Sequence, residues 1–391
     1  MIDMESNLPP LSLSPDHLGL YIHIPFCARK CKYCDFASQE LCGDSDLPER
    51  YLDALVREAR SREESGRTLH SIYIGGGTPS LLPDDCLEKL FNCLIDNFAI
   101  SPSAEITVEA NPRTLRRQGI ETMVSSGVNR ISIGVQSLND AELKTLGRIH
   151  TAEDALGSID LVKEAGITNF SIDLMYGIPG QTMDSWHKSI SVAIAYSPSH
   201  ISTYELTPEQ NTPLSELISS GEIIMPDEEL VLEMYNHAID HFEGSGYEHY
   251  EISNFALPGF KCVHNLNCWN RGEYIGAGAG AHSFIGNVRS MNTKDLREYL
   301  KSLAEGKMPV LESATLLPVD IQKEYFFLGL RKMDGINIMK AKELGLDLLH
   351  AAKELLDEGL LDIKHGNVRL TRRGTVLSNS IIVRLFEKSG L

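Results

Sequence analysis

The feature that most constrains the fold is a sixfold alternation of short β-branched apolar runs with helix-periodic segments between residues 20 and 206. The runs that predict strands are LYIHI (20–24), SIYIGG (71–76), EITVEA (105–110), RISIGV (130–135), FSIDLMY (170–176) and HISTYEL (200–206). The segments between them predict amphipathic helices near 48–65, 84–98, 114–126, 139–165 with a break near 149, and 182–196. Such an alternation is typical of a parallel sheet covered by helices.

Two folds satisfy this pattern, a β/α barrel and an open doubly wound sheet. No Gly-rich fingerprint opens the first predicted helix, as it would in a dinucleotide-binding sheet. We therefore predict an α/β fold of the barrel type, complete or partial, and take a partial (β/α)6 barrel as the working architecture.

The regular alternation ends at the turn TPEQNTPLSE (207–216). A helix is predicted near 227–245, and the Gly-, Asn- and aromatic-rich segment 247–290 predicts irregular loops with short strands. The rest of the chain predicts a small α+β, winged-helix-like C-terminal domain with helices near 294–305, 318–332, 338–343 and 347–358, strands LLDIKH and NVRLT, and a last helix near 374–388. We expect four units: an N-terminal extension (1–18), a barrel core (19–210), a barrel extension (211–292) and the C-terminal domain (293–391).

Composition excludes several classes of protein. No apolar run approaches the roughly 20 residues that a membrane helix needs. The 36 Lys and Arg residues against 54 Asp and Glu residues give a net charge of -18, with no extended basic cluster, so we expect no nucleic-acid partner. The acidic, proline-rich start MIDMESNLPPLSLSPDH does not have the pattern of a targeting segment, and we expect the protein in the cytoplasm.

Three closely spaced cysteines, Cys27, Cys31 and Cys34, follow the first predicted strand in a C-x3-C-x2-C pattern. Thiolates are soft ligands that suit an iron–sulfur cluster or zinc. A structural zinc site normally has four protein ligands, but Cys42 lies eight residues further on and His23 is predicted inside the strand. Three cysteines would leave one iron of a four-iron cluster without a protein ligand. Cys86 and Cys93, in a predicted amphipathic helix, are interpreted as buried apolar residues.

Other marked residues fall at the carboxyl ends of the predicted strands. GGGTP (75–79) follows the second strand, Glu109 and Gln136 end the third and fourth, and Asp173 lies in the fifth. Ligands in parallel α/β folds gather at this edge, and glycines allow backbone amides to approach a ligand closely. Taken singly, each signal is weak, because a triple glycine is usually a tight turn and a lone polar residue at a strand end often caps a helix.

The stretch YIHIPFCARKCKYCDF, followed by GGGTP, resembles the cluster loop of the radical S-adenosylmethionine (SAM) superfamily. The resemblance implies a [4Fe-4S] cluster on Cys27, Cys31 and Cys34, with the amino and carboxylate groups of SAM on the open iron, and reductive formation of a 5′-deoxyadenosyl radical. It also implies that SAM contacts come from Tyr21, Gly76, Gly77, Thr78, Glu109, Gln136, Arg148 and Asp173.

Within that superfamily the chain resembles the branch of oxygen-independent coproporphyrinogen III oxidase and the HemW haem chaperones. The resemblance runs through GGGTPS, ITVEANP, RISIGVQS, IDLMYGIPGQT and LTRRGTVLSNSI. The oxidase pattern has a fourth cysteine where this chain has Phe36, and Phe is typical of the chaperones. This departure favours the chaperone branch.

A second segment, KCVHNLNCWN (261–270), resembles the H-N-x-x-Y-W motif of the chaperones. The resemblance implies His264 as the haem ligand and Trp269 as an aromatic wall, with Cys262 as a reserve ligand. On chemistry alone, a hydrogen-bonded histidine in an irregular buried loop is the favoured interpretation of His264, and the motif reverses that preference. The chain departs from the motif at Cys268, which stands where the family has tyrosine, so the haem ligation stays open.

The resemblance therefore implies a haem chaperone that binds haem and delivers it to apo-haemoproteins, and that carries a SAM-binding [4Fe-4S] cluster. The alternative is an enzyme that decarboxylates coproporphyrinogen III through a 5′-deoxyadenosyl radical; we do not expect this activity, and limited SAM cleavage is left open. The implied partners are haem, apo-haemoprotein recipients and an electron donor such as flavodoxin or ferredoxin. Peripheral membrane contact and a homodimer are left open as well.

Overall fold

The structure is a computed structural model that describes residues 17–41, 46–62 and 66–391. Most of the predicted N-terminal extension (1–18) and Cys42 lie outside these ranges. The strands are β1 (Leu18–Ile24), β2 (Phe26–Cys27), β3 (Gln39–Glu40), β4 (Thr68–Gly76), β5 (Ala99–Ala110), β6 (Arg130–Gln136), β7 (Phe170–Tyr176), β8 (His200–Glu205), β9 (Glu248–Glu251), β10 (Asn254–Ala256), β11 (Glu273–Ala277), β12 (His282–Ile285), β13 (Val288–Asn292), β14 (Val310–Thr315), β15 (Ile336–Asn337), β16 (Leu361–Lys364) and β17 (Asn367–Leu370).

The helices cover the sheet and build most of the C-terminal region. They are α1 (Leu47–Ser61), α2 (Asp84–Asn97), α3 (Arg117–Ser125), α4 (Asp140–Leu146), α5 (Ala152–Glu164), α6 (Met183–Ala195), α7 (Pro213–Ser219), α8 (Glu228–Gly244), α9 (Val263–Trp269), α10 (Leu296–Ala304), α11 (Pro318–Gly329), α12 (Ile338–Glu343), α13 (Leu348–Asp357), α14 (Arg372–Val376) and α15 (Ser378–Ser389). Among the described residues no helix combines the length and the apolar character that crossing a membrane requires.

One 12-stranded sheet organises the larger part of the molecule, in the order β14-β13-β12-β11-β1-β4-β5-β6-β7-β8-β10-β9. The strands from β11 to β8 pair in parallel, and antiparallel strands extend the sheet on both sides. Because β14 and β9 are the two edges of this sheet, the barrel is open. The predicted α/β fold with a partial barrel is confirmed.

All six predicted strands are present in parallel register, and the break near 149 separates α4 from α5. The sequence did not reveal β11 as a seventh parallel strand, paired with β1. The segment EYIGA is short, and its Gly276 is required by close packing, since a Cβ there would lie 1.9 Å from the His282 carbonyl oxygen. The glycine that marks a loop in sequence therefore serves close strand packing here.

The buried faces of the helices and the apolar faces of the strands form one large core. Helix α1 begins with Pro48 in its first turn and buries an apolar stripe including Tyr51 and Leu55 against the sheet. The same stripe carries the buried carboxylate Glu58, which accepts hydrogen bonds from Tyr299 Oη, Asn292 Nδ2 and the Gly278 N–H. These bonds tie the segment after β11 to the first helix of the barrel.

A second core lies in the C-terminal part, built from residues between Phe326 and Leu385. Its small sheet has the order β15-β17-β16, so the predicted two-stranded wing gains a third strand. The predicted last helix is two helices, α14 and α15, separated at Leu377. Helix α10 packs in the larger core through Tyr299, and β14 pairs with β13, so the proposed C-terminal unit shares its first elements with the barrel.

Candidate functional site at the carboxyl ends of the strands

The parallel strands carry polar side chains at alternate positions, which places these side chains on one face of the sheet. In β5, for example, Glu105, Thr107 and Glu109 alternate with apolar residues. The corresponding positions elsewhere are Tyr21 and His23 in β1, Ser71 and Tyr73 in β4, Arg130 and Ser132 in β6, Ser171 and Asp173 in β7, and Ser202 and Tyr204 in β8. The barrel interior is therefore polar over much of its length. Burying polar groups costs free energy unless they are paired with one another or bind a ligand.

The three cysteines lie in a loop fixed at both ends. Strand β2 carries Cys27 and pairs in parallel with β3, and the Leu41 N–H donates to the Cys27 carbonyl oxygen at 3.0 Å. Within the loop, the Lys32 N–H donates to the Leu146 carbonyl oxygen at 3.0 Å. All three thiols belong to partly exposed residues. The loop therefore holds its backbone against the barrel while its sulfurs remain accessible.

Two side chains at the strand ends contact these sulfurs. Thr78 Oγ1 donates to Cys27 Sγ at 3.7 Å, and Arg148 Nη1 donates to Cys31 Sγ at 3.4 Å. Arg148 Nη2 also donates to Asn111 Oδ1 at 2.5 Å and to the Gly134 carbonyl oxygen at 2.7 Å. Burial raises the pKa of Cys27, whereas the Thr78 hydrogen bond and the Arg148 charge act in the opposite direction. Thr78 and Arg148 therefore both favour the thiolate form of Cys27, which metal binding requires.

The spacing of the cysteine sulfurs can be compared with the geometry that a single zinc ion requires. Within the described ranges, the groups of three or more potential metal ligands with all ligand atoms within 4.8 Å do not include these cysteines. Sulfurs on one tetrahedral zinc would be about 3.8 Å apart, given Zn–S bonds of about 2.3 Å. At least one pair of the three sulfurs is therefore further apart than two ligands of one zinc, and three thiolates are also a suitable ligand set for an iron–sulfur cluster.

The glycines after β4 form a backbone cradle beside this loop. Gly76 has φ +107°, and a Cβ at this position would lie 2.4 Å from the His23 ring. A Cβ at Gly77 would lie 2.6 Å from the Phe26 carbonyl oxygen. The Gly77 N–H donates to the Ile24 carbonyl oxygen at 2.7 Å. Both glycines are therefore required by close packing, because a side chain at either position would collide with His23 or with the backbone beside the cysteine loop.

Glu109, the first of the predicted polar contacts, is held beside this cradle. Its carboxylate accepts a hydrogen bond from Tyr73 Oη at 2.8 Å and from the Gly76 N–H at 3.0 Å. Burial raises the pKa of Glu109 to about 7, although both hydrogen bonds act to lower it. An ammonium group placed next to Glu109 would restore the carboxylate form.

The remaining predicted contacts lie on neighbouring strands. Gln136 ends β6 with φ +65°, a conformation that is uncommon for a residue with a side chain and is often found at binding sites. Asp173 accepts hydrogen bonds from Ser132 Oγ and Ser171 Oγ at 3.1 Å, and burial raises its pKa. Tyr21 Oη hydrogen bonds His23 Nδ1 at 2.9 Å, and His23 Nε2 donates to the Ala37 carbonyl oxygen at 2.8 Å. This last chain links β1 to the cysteine loop.

A pocket of about 550 Å³ opens at this edge of the sheet. It brings together residues that are far apart in sequence: Tyr21, His23, Asp35, Phe36, Ala37, Tyr73, Gly76, Glu109, Tyr204, His264, Asn265, Cys268, Tyr274, Gly280, His282 and Lys294. A smaller cleft is lined by Cys31, Thr78 and Arg148. The predicted residues Tyr21, Gly76, Glu109 and His264 therefore share one pocket, whereas Gln136 and Asp173 do not line it.

His264 lies on α9, a helix that the sequence did not predict because VHNLNCW lacks apolar periodicity. The carboxylate of Glu105 accepts hydrogen bonds from the Val263 and His264 N–H groups, each at 3.1 Å, and so caps the start of this helix. His264 Nδ1 hydrogen bonds Ser71 Oγ at 3.1 Å, and its ring lies 5.3 Å from the Tyr73 ring. Burial lowers the pKa of His264 to about 3, so its imidazole is neutral and can act as a ligand.

The other residues of the 261–270 segment have different surroundings. Cys268 lies one helical turn after His264 and lines the same pocket, and burial raises its pKa to about 12. Cys262 is fully buried with its Sγ 3.5 Å from Glu105 Oε1, away from the pocket lining. Trp269 is not in the pocket lining either; the Arg331 guanidinium lies 5.1 Å from its ring centroid. The aromatic side chains that line the pocket are Phe36 and four tyrosines, and the interpretation of Trp269 as an aromatic wall stays a prediction.

Sequence reasoning missed several residues of the site, above all Glu105 and Tyr73. An acidic residue four positions before Glu109 in a predicted strand lies on the same face, and that spacing could have identified Glu105. Lys294 and His282 at the pocket could not have been found, because β12 and the turn before α10 reach the pocket only through the tertiary fold.

Comparison with family models gives two matches. Residues 21–193 match the model described as the radical SAM superfamily, and residues 316–377 match the HemN C-terminal domain. The first match spans the cysteine loop and the strands through β7. The second begins just before α11 and includes most of the second core.

Curated relatives and a solved structure extend the comparison over the whole chain. The heme chaperone HemW of Bacillus subtilis (strain 168) is 36% identical, over 92% of this chain and 97% of the relative. The heme chaperone HemW of Escherichia coli (strain K12) is 40% identical, over 71% of each chain. The structure of coproporphyrinogen III oxidase (HemN) from Escherichia coli, described as a radical SAM enzyme, superimposes with a TM-score of 0.82 at 23% identity, covering 96% of this chain and 91% of that one. This last likeness shows a shared fold.

Proposed function

The chain belongs to the radical SAM superfamily and, within it, to the family of the HemW heme chaperones, and from this membership we propose that it binds haem and delivers it to apo-haemoproteins. The single observation that carries the proposal is that Phe36 and His264 line the same pocket. These two residues belong to the two sequence features that favour a chaperone over an oxidase. Their meeting in one pocket supports a common role in holding haem.

His264 is the proposed haem ligand. Its Nδ1 is engaged with Ser71, so Nε2 is the ring nitrogen that remains for iron. Tyr21, Tyr73 and Tyr274 offer aromatic surface, and the exposed Lys294 at the same pocket could pair with a haem propionate. The pocket volume lies in the range of cofactor sites.

Cys27, Cys31 and Cys34 are proposed to hold a [4Fe-4S] cluster whose fourth iron takes SAM. The bound cluster and SAM would supply one-electron reductive chemistry, and the residues of the chain position and shield them. Gly76 and Gly77 keep side chains away from the cysteine loop, and Thr78 and Arg148 contact the cysteine sulfurs. Glu109 would accept hydrogen bonds from the SAM ammonium group. We propose Tyr21, Gln136 and Asp173 as further SAM contacts, with the hydroxyl groups of the ribose as chemically suitable partners for the last two.

The electron donor is proposed to be a small acidic redox protein such as flavodoxin or ferredoxin. The chain carries an overall charge of -18, yet the cysteine loop contains Arg29, Lys30 and Lys32 within four consecutive positions. Arg29 and Lys30 are exposed. A local positive surface around the cluster would attract an acidic donor, and we place this exchange in the cytoplasm.

The test of the proposed function uses the full chain with its cluster reconstituted under anaerobic conditions. One sample is loaded with haem and mixed with an apo-haemoprotein, and the recipient's Soret spectrum is followed against the same haem-loaded protein mixed with a passive haem scavenger. We expect faster transfer to the recipient than to the scavenger. A parallel sample receives SAM, reductant and coproporphyrinogen III, and catalytic formation of protoporphyrinogen IX would replace the chaperone proposal with the oxidase.

A further inference from the structure

Three histidines come together on the helical layer, apart from the pocket and the cysteine loop. His187 lies on α6, and His237 and His241 lie one turn apart on α8, which packs against α6. One ring nitrogen from each of the three lies within 4.8 Å of the others. His187 is exposed and the other two are partly buried, so the group is accessible from solvent.

The hydrogen bonds around these rings leave one nitrogen of each directed into the group. His241 Nδ1 donates to the His237 carbonyl oxygen at 3.0 Å, which leaves Nε2 of His241 without a proton. His187 Nδ1 lies 3.0 Å from His237 Nε2, and His187 Nε2 lies 3.5 Å from Ser191 Oγ. Ligating histidines usually donate their other nitrogen to a carbonyl or hydroxyl oxygen in this way.

We propose that His187, His237 and His241 bind a divalent transition-metal ion, with Zn²⁺ as the best match, through His187 Nδ1, His237 Nε2 and His241 Nε2. Imidazole suits zinc, and three histidines leave a fourth coordination position open to water or to another ligand. Nitrogens on one tetrahedral zinc lie about 3.3 Å apart, given Zn–N bonds of about 2.0–2.1 Å. The existing 3.0 Å approach of His187 to His237 is close to this value, so small ring rotations complete the site.

The surroundings of His237 favour its neutral ring, the form that binds a metal. Burial and the two neighbouring histidines lower the pKa of His237, while the carboxylate of Asp240 acts in the opposite direction. Asp240 itself is bound to Arg372 at 2.5 Å, so this carboxylate is engaged with the C-terminal region. A metal that binds the three rings would replace the hydrogen bond between His187 Nδ1 and His237 Nε2 with bonds from both nitrogens to a common cation.

The site would join α6 to α8 at a point where α8 also contacts the C-terminal region. Trp186 Nε1 donates to the Met234 carbonyl oxygen at 2.8 Å, and Arg372 Nη2 donates to the Asn236 carbonyl oxygen at 2.8 Å. Zinc would therefore fix the helix that links the barrel to the second core. We expect zinc to raise the thermal stability of the folded protein, because a ligand that binds only the native state stabilises it.

The experiment uses the full-length protein, purified without a polyhistidine tag and with its iron–sulfur cluster reconstituted. Zinc and iron per chain are measured by elemental analysis after equilibrium dialysis against micromolar Zn²⁺, for wild type, His187→Asn, His241→Ala and the control His350→Ala. His350 is an exposed histidine on α13, outside the group. We expect about one zinc per chain more in wild type and the control than in the two variants, with equal iron in all four.

His187 is exposed, so His187→Asn keeps the proposal testable if His241→Ala disturbs the packing of α8. The melting temperature is measured with and without Zn²⁺ for each protein, and we expect the zinc-dependent increase in wild type and His350→Ala alone. Equal zinc content in wild type and His187→Asn, with unchanged iron, would overturn the proposal. An equal loss of zinc in His350→Ala would do the same, because the metal would then not be specific to this group.

Discussion

The backbone N–H of His264 donates a hydrogen bond to Oε1 of Glu105 at 3.1 Å. Glu105 belongs to β5, in the interior of the barrel, and the same carboxylate accepts the Val263 N–H. A buried side chain of the barrel thus fixes the start of the helix that carries the proposed haem ligand. The position of His264 is set by the barrel, although the motif itself lies in the extension after it.

Replacing Glu105 with Gln tests this positioning. The glutamine amide accepts hydrogen bonds from backbone N–H groups more weakly than a carboxylate does. The change also removes the negative charge near the buried Arg130. We therefore expect the free energy of unfolding to fall by about 1.5–3 kcal/mol. We also expect weaker haem binding, because α9 is no longer held in register. Both are measured, by denaturant unfolding and by haem titration.

The matched control is Glu142→Gln, which alters another buried carboxylate with several hydrogen-bond donors, away from the pocket. It is expected to lower stability by a similar amount while leaving haem affinity unchanged. Equal haem affinities in Glu105→Gln and wild type would show that Glu105 has no part in positioning His264.

The glycine cradle makes a steric prediction for Gly76→Ala. The new Cβ would meet the His23 ring and would also have to adopt φ +107°, which costs about 1–3 kcal/mol in backbone strain alone. We expect loss of SAM binding by the reconstituted protein, measured by equilibrium dialysis. Gly66→Ala is the control, since Gly66 also has a positive φ of 83° but none of the described residues lies within 4 Å of its Cβ position. If SAM binding were weakened equally in both variants, the effect would come from backbone strain at a positive φ and not from the collision with His23.

The raised pKa of Glu109 predicts a pH dependence of SAM binding. Below about pH 7 the buried carboxyl group of Glu109 is largely protonated, and above about pH 7 it is a carboxylate that can bind an ammonium group. The affinity for SAM should therefore increase as the pH rises through 7. Stability should change in the opposite sense: between the ordinary pKa of 4.5 and 7 the folded state binds more protons than the unfolded state, so the Glu109 contribution falls as pH rises.

Glu109→Gln should remove the pH dependence of SAM binding and weaken SAM binding at pH 8, as measured by equilibrium dialysis. Thermal melting over a pH series should show a smaller pH dependence of stability, because the Glu109 contribution is lost while that of Glu251 remains. Glu251→Gln is the control, because burial also raises the pKa of Glu251 to about 7 but this residue does not line the pocket. A SAM affinity that rises through pH 7 in Glu109→Gln as it does in wild type would exclude Glu109 as the ammonium partner.

Cys268 replaces the tyrosine of the family motif, and its burial decides between two roles. With a pKa raised to about 12 the side chain is a neutral thiol near pH 7, which is a poor iron ligand. We therefore expect Cys268→Ser to bind haem with the same Soret maximum and similar affinity as wild type. A shifted Soret band in Cys268→Ser would instead identify Cys268 as an iron ligand.

Much of the barrel could be predicted from the sequence because its strands are buried apolar runs and its helices are amphipathic, as in IYI of β4 and α1. The cysteine loop and GGGTP were identifiable for a similar reason, since their chemistry depends on local spacing. The order of β11 beside β1 was not predictable, because the pairing joins residues such as Leu20 and Ile275 that are separated by most of the chain.

Fewer features of the pocket could be predicted from the sequence. The sequence singled out His264 only through a motif, and nothing local indicates that Glu105 caps its helix or that Trp269 packs against Arg331. The group of His187, His237 and His241 was likewise not predicted, since only the packing of α6 on α8 brings the first residue to the other two. Side chains assembled from separate elements are specified by tertiary packing, which single-sequence patterns do not encode.

The most direct test of the central claim is an anaerobic haem titration, followed at the Soret band, of wild type, His264→Ala and His282→Ala. His282 is a second histidine of the same pocket and serves as the matched control. We predict an altered Soret spectrum and at least about a tenfold loss of affinity, equivalent to about 1.4 kcal/mol, for His264→Ala alone. Identical Soret spectra and affinities in wild type and His264→Ala would remove His264 from the haem site and contradict the account.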